Sequence, residues 1–411
     1  MNYQIEDVFS PRSFPQNTYI SRKLDDGETV DDRLKRALSM KGNLIFVTGA
    51  SKSGKTVLCH NVISSESYIA LSGNQISTKA DFWNHIAEQL PLSDAVVLTT
   101  GEQNSNNKGS QAELKLNLGI ASLGASINSN TGNNMNQQLA MTNNRTERQI
   151  IRYLIDNNKV LVLDDFHYIA ADMQMYIART LKTELFNGLK AVIISLPHRS
   201  DEAIICNPDL IGRTTSIEIL PWSAEELRAI AVKGFALLGL QIGEAEERLL
   251  AQESIASPQL MQENCFQLAF ASVQKQLAIQ PDLVRYAFRQ TARNYAHYER
   301  LVQAIRQGPA QGIGRRKSYL LQDGAVDIYQ LLLLALKADP PVTELPLAAL
   351  KERLRQLLYT QAMPSSSVIS AALNKIIKIV AELMPDLDAL EYKNQCLYIL
   401  DPFLLFYLRW K

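Results

Sequence analysis

Apolar residues recur along this chain in two rhythms, and the change between them divides it. In the first 220 residues, short apolar runs alternate with helical stripes. Leu44 to Thr48, Tyr68 to Ser72, Lys159 to Asp164 and Ala191 to Ser195 are short and largely β-forming, so they predict strands, and Thr214 to Leu220 predicts another. Between them, Thr29 opens a predicted helix from Val30 to Met40 with Val30, Leu34, Ala37 and Leu38 on one face. Phe82, Trp83, Ile86 and Leu90 mark a second helix, and Met173 to Phe186 a third. Strands alternating with helices imply a parallel sheet covered on both faces.

From Pro221 onward the spacing is almost wholly helical. Ser223-Ala-Glu-Glu226 is a capping box that opens a helix reaching about Leu237. Helices are expected at Glu244 to Ser254, Pro258 to Leu277 and Leu283 to Ile305. A Gly/Pro/Arg joint at 307–317 precedes helices at Val326 to Ala338, Leu345 to Tyr359 and Ser366 to Met384. Leu390 to Leu400 then reads as a hairpin turning at Asn394, and three helices with a hairpin make a winged helix. The predicted organisation is an irregular arm over 1–28, an α/β core over 29–220, a helical segment over 221–306, the joint, and a winged helix over 318–411. An Asn/Ser/Gly-rich stretch at about 93–144 interrupts the core. Within it, Glu113 to Ile127 alternates with period two, which leaves two readings: a linker, or a β-insertion that pairs with a partner or another subunit.

The candidate chemistry lies where the first strand ends. Gly49-Ala50-Ser51-Lys52-Ser53-Gly54-Lys55-Thr56 follows an apolar strand and leads through Val57 into a helix, the context that a phosphate-binding loop requires. Glycines let backbone N–H groups turn inward around a phosphate, and the helix N-terminus adds its positive end. Lys55 is placed to reach β- and γ-phosphates, and Thr56 offers a hydroxyl to Mg²⁺. About a hundred residues downstream, the strand Lys159-Val-Leu-Val-Leu ends in Asp164 and Asp165. It is expected beside the loop strand, with Asp164 holding the metal and Asp165 polarising water or sensing the γ-phosphate. His167, just beyond, reads as structural.

Forty-two basic and forty-two acidic residues cancel, so no overall field draws the chain to nucleic acid or acidic lipid, and any DNA contact must be a local patch. Cys59, Cys206, Cys265 and Cys396 lack metal-ligand spacing and read as reduced thiols. No leader pattern or membrane-length apolar run is present, so a cytoplasmic protein with no membrane partner is expected.

In this order, the parts resemble the AAA+/STAND group of P-loop ATPases, and within it the small archaeal and bacterial ATPases with a C-terminal winged helix. The resemblance covers about 40–275 and 318–411, and rests on Ser51 to Thr56, on Leu161 to Asp165 and on the ending Tyr398 to Trp410. It implies an α/β core with a helical lid, ATP and Mg²⁺ as cofactors, and ATP hydrolysis, at a slower rate than in the many fast hydrolases that carry Glu where this chain has the shorter Asp165. It implies an arginine finger at Arg213 for a neighbouring subunit, with a surface residue as the other reading, and a sensor at Ser195 ahead of His198 and Arg199. Ser257-Pro258 stands where relatives carry Gly-x-Pro near the base, and Tyr19, Ile20 and Arg22 frame the adenine or simply pack an arm. It further implies a homo-oligomeric switch regulating a separate effector protein, as in anti-phage defence; the alternative is a DNA-associated ATPase of transposition or replication. On the third winged-helix helix, Asn374, Lys375 and Lys378 face away from the apolar stripe, with Lys393 at the hairpin tip. So few cations favour an internal or protein-contact role over DNA.

Overall fold

The computed structural model describes residues 3–24, 26–91, 147–196, 212–309, 316–322, 324–359, 363–385, 387 and 389–411. The insertion at 93–144, Cys206, His198, Arg199 and the loop ahead of Gly212 lie outside the described residues. Two units emerge. One comprises Lys23–Gly49 and Lys55–Ile219; the other comprises Met1–Arg22, Ala50–Gly54 and Leu220–Lys411.

The first unit is built on five strands: β1 (Leu44–Gly49), β2 (Tyr68–Ser72), β3 (Val160–Asp164), β4 (Lys190–Ser195) and β5 (Thr214–Ile219). They pair in the order β2-β3-β4-β1-β5, every pair parallel. Because side chains alternate along a strand, each strand feeds two cores. Leu44, Phe46, Leu161, Leu163 and Ile193 pack with Phe82, Trp83, Leu154 and Leu181. Ile45, Val47, Val162, Val192 and Ile194 pack with Leu34 and Leu58 on the other face. The covering helices are Val30–Ser39, Lys55–Val62, Lys79–Ala87, residues 147–156 and Ala171–Phe186. The expectation that the Asp164 strand adjoins the loop strand is corrected here: β4 lies between them, hydrogen-bonded to both. The central strands β1, β3 and β4 are alike apolar and buried on both faces, so the sequence carries no sign of which of them are neighbours.

The second unit is helical. Its early helices are Ile5–Val8, Ala224–Leu238, Glu244–Glu253, Pro258–Lys275, Pro281–Asn294 and Glu299–Gln307. The later ones are Ile328–Lys337, Leu347–Leu357, Ser366–Leu383 and Pro402–Trp410. The capping box at Ser223 and Glu226 forms as read. The arm is not wholly irregular: Val8 and Phe9 are fully buried against this unit. A Cβ at Gly234 would collide with the Phe9 ring, which accounts for glycine inside that helix. The single helix expected from Leu283 to Ile305 is broken by a 3₁₀ turn at Ala296–Tyr298. Tertiary contacts override helical periodicity there, because Tyr298 is buried with its hydroxyl donating to Asp401, and the Tyr295 ring packs on Phe403.

Past the 307–317 joint, β8 (Glu344–Pro346), β9 (Leu390–Lys393) and β10 (Cys396–Ile399) form an antiparallel sheet in the order β8-β10-β9. A separate hairpin pairs β6 (Tyr319–Leu321) with β7 (Gly324–Val326). The β9–β10 turn uses Asn394 and Gln395, both left-handed at φ 52° and 58°. One apolar core runs without a break through Phe235, Leu268 and Phe288, on to Leu332, Leu350, Leu373 and Phe406. No helix among the described residues is long and apolar enough to cross a membrane.

Candidate functional site

β1 ends at Gly49 with φ 157°, and the loop then turns through Lys52 (φ 62°) and Gly54 (φ 95°). The Ser53 N–H donates to the Ala50 carbonyl at 3.3 Å, closing the turn. Gly54 is required by its backbone, since a side chain at φ 95° is strained while a Cβ would meet Pro258 only at 3.9 Å. Of the loop side chains, Ala50 and Lys52 are exposed and Ser51 is half-buried, while Ser53 is buried with its hydroxyl lacking a partner among the described residues.

The helix starting at Lys55 carries the next three site residues. Lys55 Nζ donates to the Gly49 carbonyl at 3.0 Å, so the side chain folds back over the loop. Thr56 Oγ1 donates to Asp164 Oδ2 at 2.5 Å, and Val57 follows half-buried. The contact joins residues 108 apart, across the width of the intervening strand β4. Asp164 Oδ1 accepts the Asp165 N–H at 2.8 Å. Asp165 is left-handed (φ 55°, ψ 36°) and its carbonyl lies against Gly73, where any Cβ would collide. Gln174 secures the turn beyond by donating to the carbonyls of Phe166 and Ile169 at 3.0 and 2.9 Å. On the helix after the loop, Cys59 is buried; burial, with the Asp164 charge second, pushes its thiol well above the usual range.

Ser195 ends β4 in register with Thr48 of β1. It is 1% exposed and its hydroxyl has no partner among the described residues. Position in the sheet, rather than any local motif, makes it notable. His167 is half-buried with its ring 4.2 Å from Tyr168.

The other candidates lie as follows. Arg213 is exposed, its guanidinium over the Phe186 ring at 5.9 Å and its carbonyl accepting from Leu44 N. Pro258 is the first residue of its helix, capped by the Ser257 hydroxyl. Arg22 is fully engaged, its Nε and Nη2 donating to the two carboxylate oxygens of Glu226 at 2.8 and 3.2 Å, and others to the carbonyls of Leu220 and Pro221. The Tyr19 ring stacks on Phe14 and its carbonyl accepts from Lys233. Sequence reasoning passed over Trp222, whose indole N–H donates to the Ser53 carbonyl at 2.8 Å. Nothing local marks it, because its partner lies 169 residues away.

Two hard oxygen donors, Thr56 and Asp164, that meet at a helix N-terminus, with the buried unpartnered Ser195 hydroxyl on the same sheet, fit a magnesium nucleotide. No protein-family model matches the chain, and no curated protein matches it. Among solved structures, the Walker-type ATPase of Pyrococcus abyssi is similar with a TM-score of 0.51 at 12% identity, over 92% of this chain and 94% of that one. The ORC2 protein of Aeropyrum pernix, solved in ADPNP–ADP complexes, gives 0.48 at 13% identity over 98% and 97%. Cdc6p from Pyrobaculum aerophilum gives 0.43 at 13% over 98% and 97%. With its parallel five-stranded sheet and glycine loop, this chain shares the P-loop fold of that Walker-type ATPase.

Proposed function

We propose that the chain is an ATP-binding and ATP-hydrolysing molecular switch. The observation that carries the reading is the Thr56–Asp164 hydrogen bond at the start of the helix that follows the glycine loop. Thr56 and Asp164 would hold Mg²⁺, which when bound neutralises phosphate charge and polarises the transferred group. Lys55, freed from the Gly49 carbonyl, reaches the β- and γ-phosphates, while loop N–H groups take the phosphate oxygens. Asp165 orients water or registers the γ-phosphate, and the Ser195 hydroxyl is the polar group that β4 brings to the same end of the sheet.

Exposed Arg213 supports assembly in which it completes a neighbouring site. The segment 318–411 reads as a winged helix, on the strength of three helices and the β8-β10-β9 sheet. Its helix Ser366–Leu383 buries Ile369, Leu373, Ile376 and Val380 and leaves Asn374, Lys375 and Lys378 outward. That sparse charge supports protein contact over duplex DNA. Calorimetry tests the central reading: wild type should bind ATP with magnesium dependence, and Lys55→Ala should not. Absence of binding by folded wild type would overturn it.

A further inference from the structure

The outward carbonyl of the glycine loop is held by a residue from the start of the helical unit. Trp222 donates its indole N–H to Ser53 O at 2.8 Å. The guanidinium of Arg22 lies over the indole at 4.8 Å, and is itself fixed by Glu226 and by the Leu220 and Pro221 carbonyls. Three chain segments thus converge on one peptide group, the Ser53–Gly54 link of the loop. A trans peptide points its C=O and N–H in opposite directions. Gripping Ser53 O from outside therefore aims Gly54 N–H toward the inside, where a loop of this kind receives a phosphate oxygen.

We propose that Trp222 is a positioning residue for phosphate binding, pre-setting the Gly54 N–H, and that Arg22 sets the indole. This rests on the nucleotide reading above. It gives Arg22 a role distinct from adenine contact, and it makes the affinity of the loop depend on the N-terminal arm. Loss of one neutral hydrogen bond corresponds to about five- to tenfold in affinity.

The test is a titration of the full chain with Mg-ADP, comparing wild type with Trp222→Phe, which keeps a ring under Arg22 but removes the donor. A five- to tenfold rise in Kd, with the melting temperature moved by no more than about 2 °C, supports the proposal. Equal affinity in the two proteins overturns it while leaving the nucleotide reading intact, whereas no binding by wild type overturns both. Should Trp222→Phe fail to fold, ¹⁵N-tryptophan spectra of the wild type decide the matter. The chain has three tryptophans, and Trp83→Phe and Trp410→Phe assign the third signal by elimination. A Trp222 indole N–H resonance that shifts on adding Mg-ADP supports the role, and one that stays put overturns it.

Discussion

Arg409 grips Glu253 with two prongs, Nε to Oε2 at 2.9 Å and Nη2 to Oε1 at 2.6 Å. The side chains are only 8% and 3% exposed, and the Trp410 indole N–H donates to the same carboxylate at 2.6 Å. The pair joins the helix Glu244–Glu253 to the last helix of the chain. Removing one partner would leave a buried charge uncompensated, so Arg409→Ala should cost about 3–5 kcal/mol in urea unfolding. Arg409→Lys should recover little of it, because an ammonium cannot reproduce the fork.

The close approach of Gly73 to the Asp165 carbonyl makes a second prediction. A methyl group there must displace backbone rather than a flexible side-chain end. Gly73→Ala should therefore destabilise by about 1–3 kcal/mol. It should also lower ATP turnover more than ATP affinity, since Asp165 moves while the loop does not. Thermal unfolding and steady-state phosphate release check the two parts.

A third concerns pH. Burial acts to raise the Glu226 carboxyl, but hydrogen bonds from Arg22 and Ser223 outweigh it and hold the group below the ordinary glutamate value of 4.5. A depressed acid stabilises the fold above its unfolded-state value and loses that contribution as pH falls through the folded one. The stability gap between wild type and Glu226→Gln should thus be constant at neutral pH and shrink on acidification below the usual carboxylate range. With charge-assisted hydrogen bonds involved, the gap at neutral pH should be about 1.5–3 kcal/mol. Denaturant melts across pH 3 to 8 measure it; a gap that widens in acid contradicts the assignment.

Arg213 carries the fourth. If it serves a neighbouring subunit, Arg213→Ala should bind ATP within about twofold of wild type yet lose at least about a thousandfold in turnover. Wild-type turnover per subunit should rise with protein concentration, and that of the variant should not. Flat concentration dependence in both would remove the finger role.

Much of the scaffold was legible in the chain. Tyr68 to Ser72 stands out because a short β-forming run has few other uses, Thr214 to Leu220 because Thr214, Thr215, Ile217 and Ile219 are β-branched, and the Ser223–Glu226 capping box marks its helix start to the residue. Asn394 at the hairpin turn was legible for a similar local reason. What could not be read was non-local. The position of β4 between β1 and β3 decides that Ser195 lies beside Thr48, yet all three strands are equally apolar. Arg22 meets Glu226 across 204 residues, and no spacing rule reaches that far. One miss was avoidable: Asp323-Gly324 is a strong hairpin signal between β6 and β7, obscured by the brevity of both strands.

Arg316 donates to Asp327 at 2.7 Å and lies over the Tyr329 ring, tying the joint to the helix beyond it. Together with the unbroken core that Phe288 and Phe406 share edge to face, this bears on how the molecule can be dissected. Cutting at 307–317 would strip leucine- and phenylalanine-lined surface from both fragments at once. Each half is expected to precipitate when expressed alone and to return to solution when the two are produced together, so truncation is the wrong instrument for assigning activity to either.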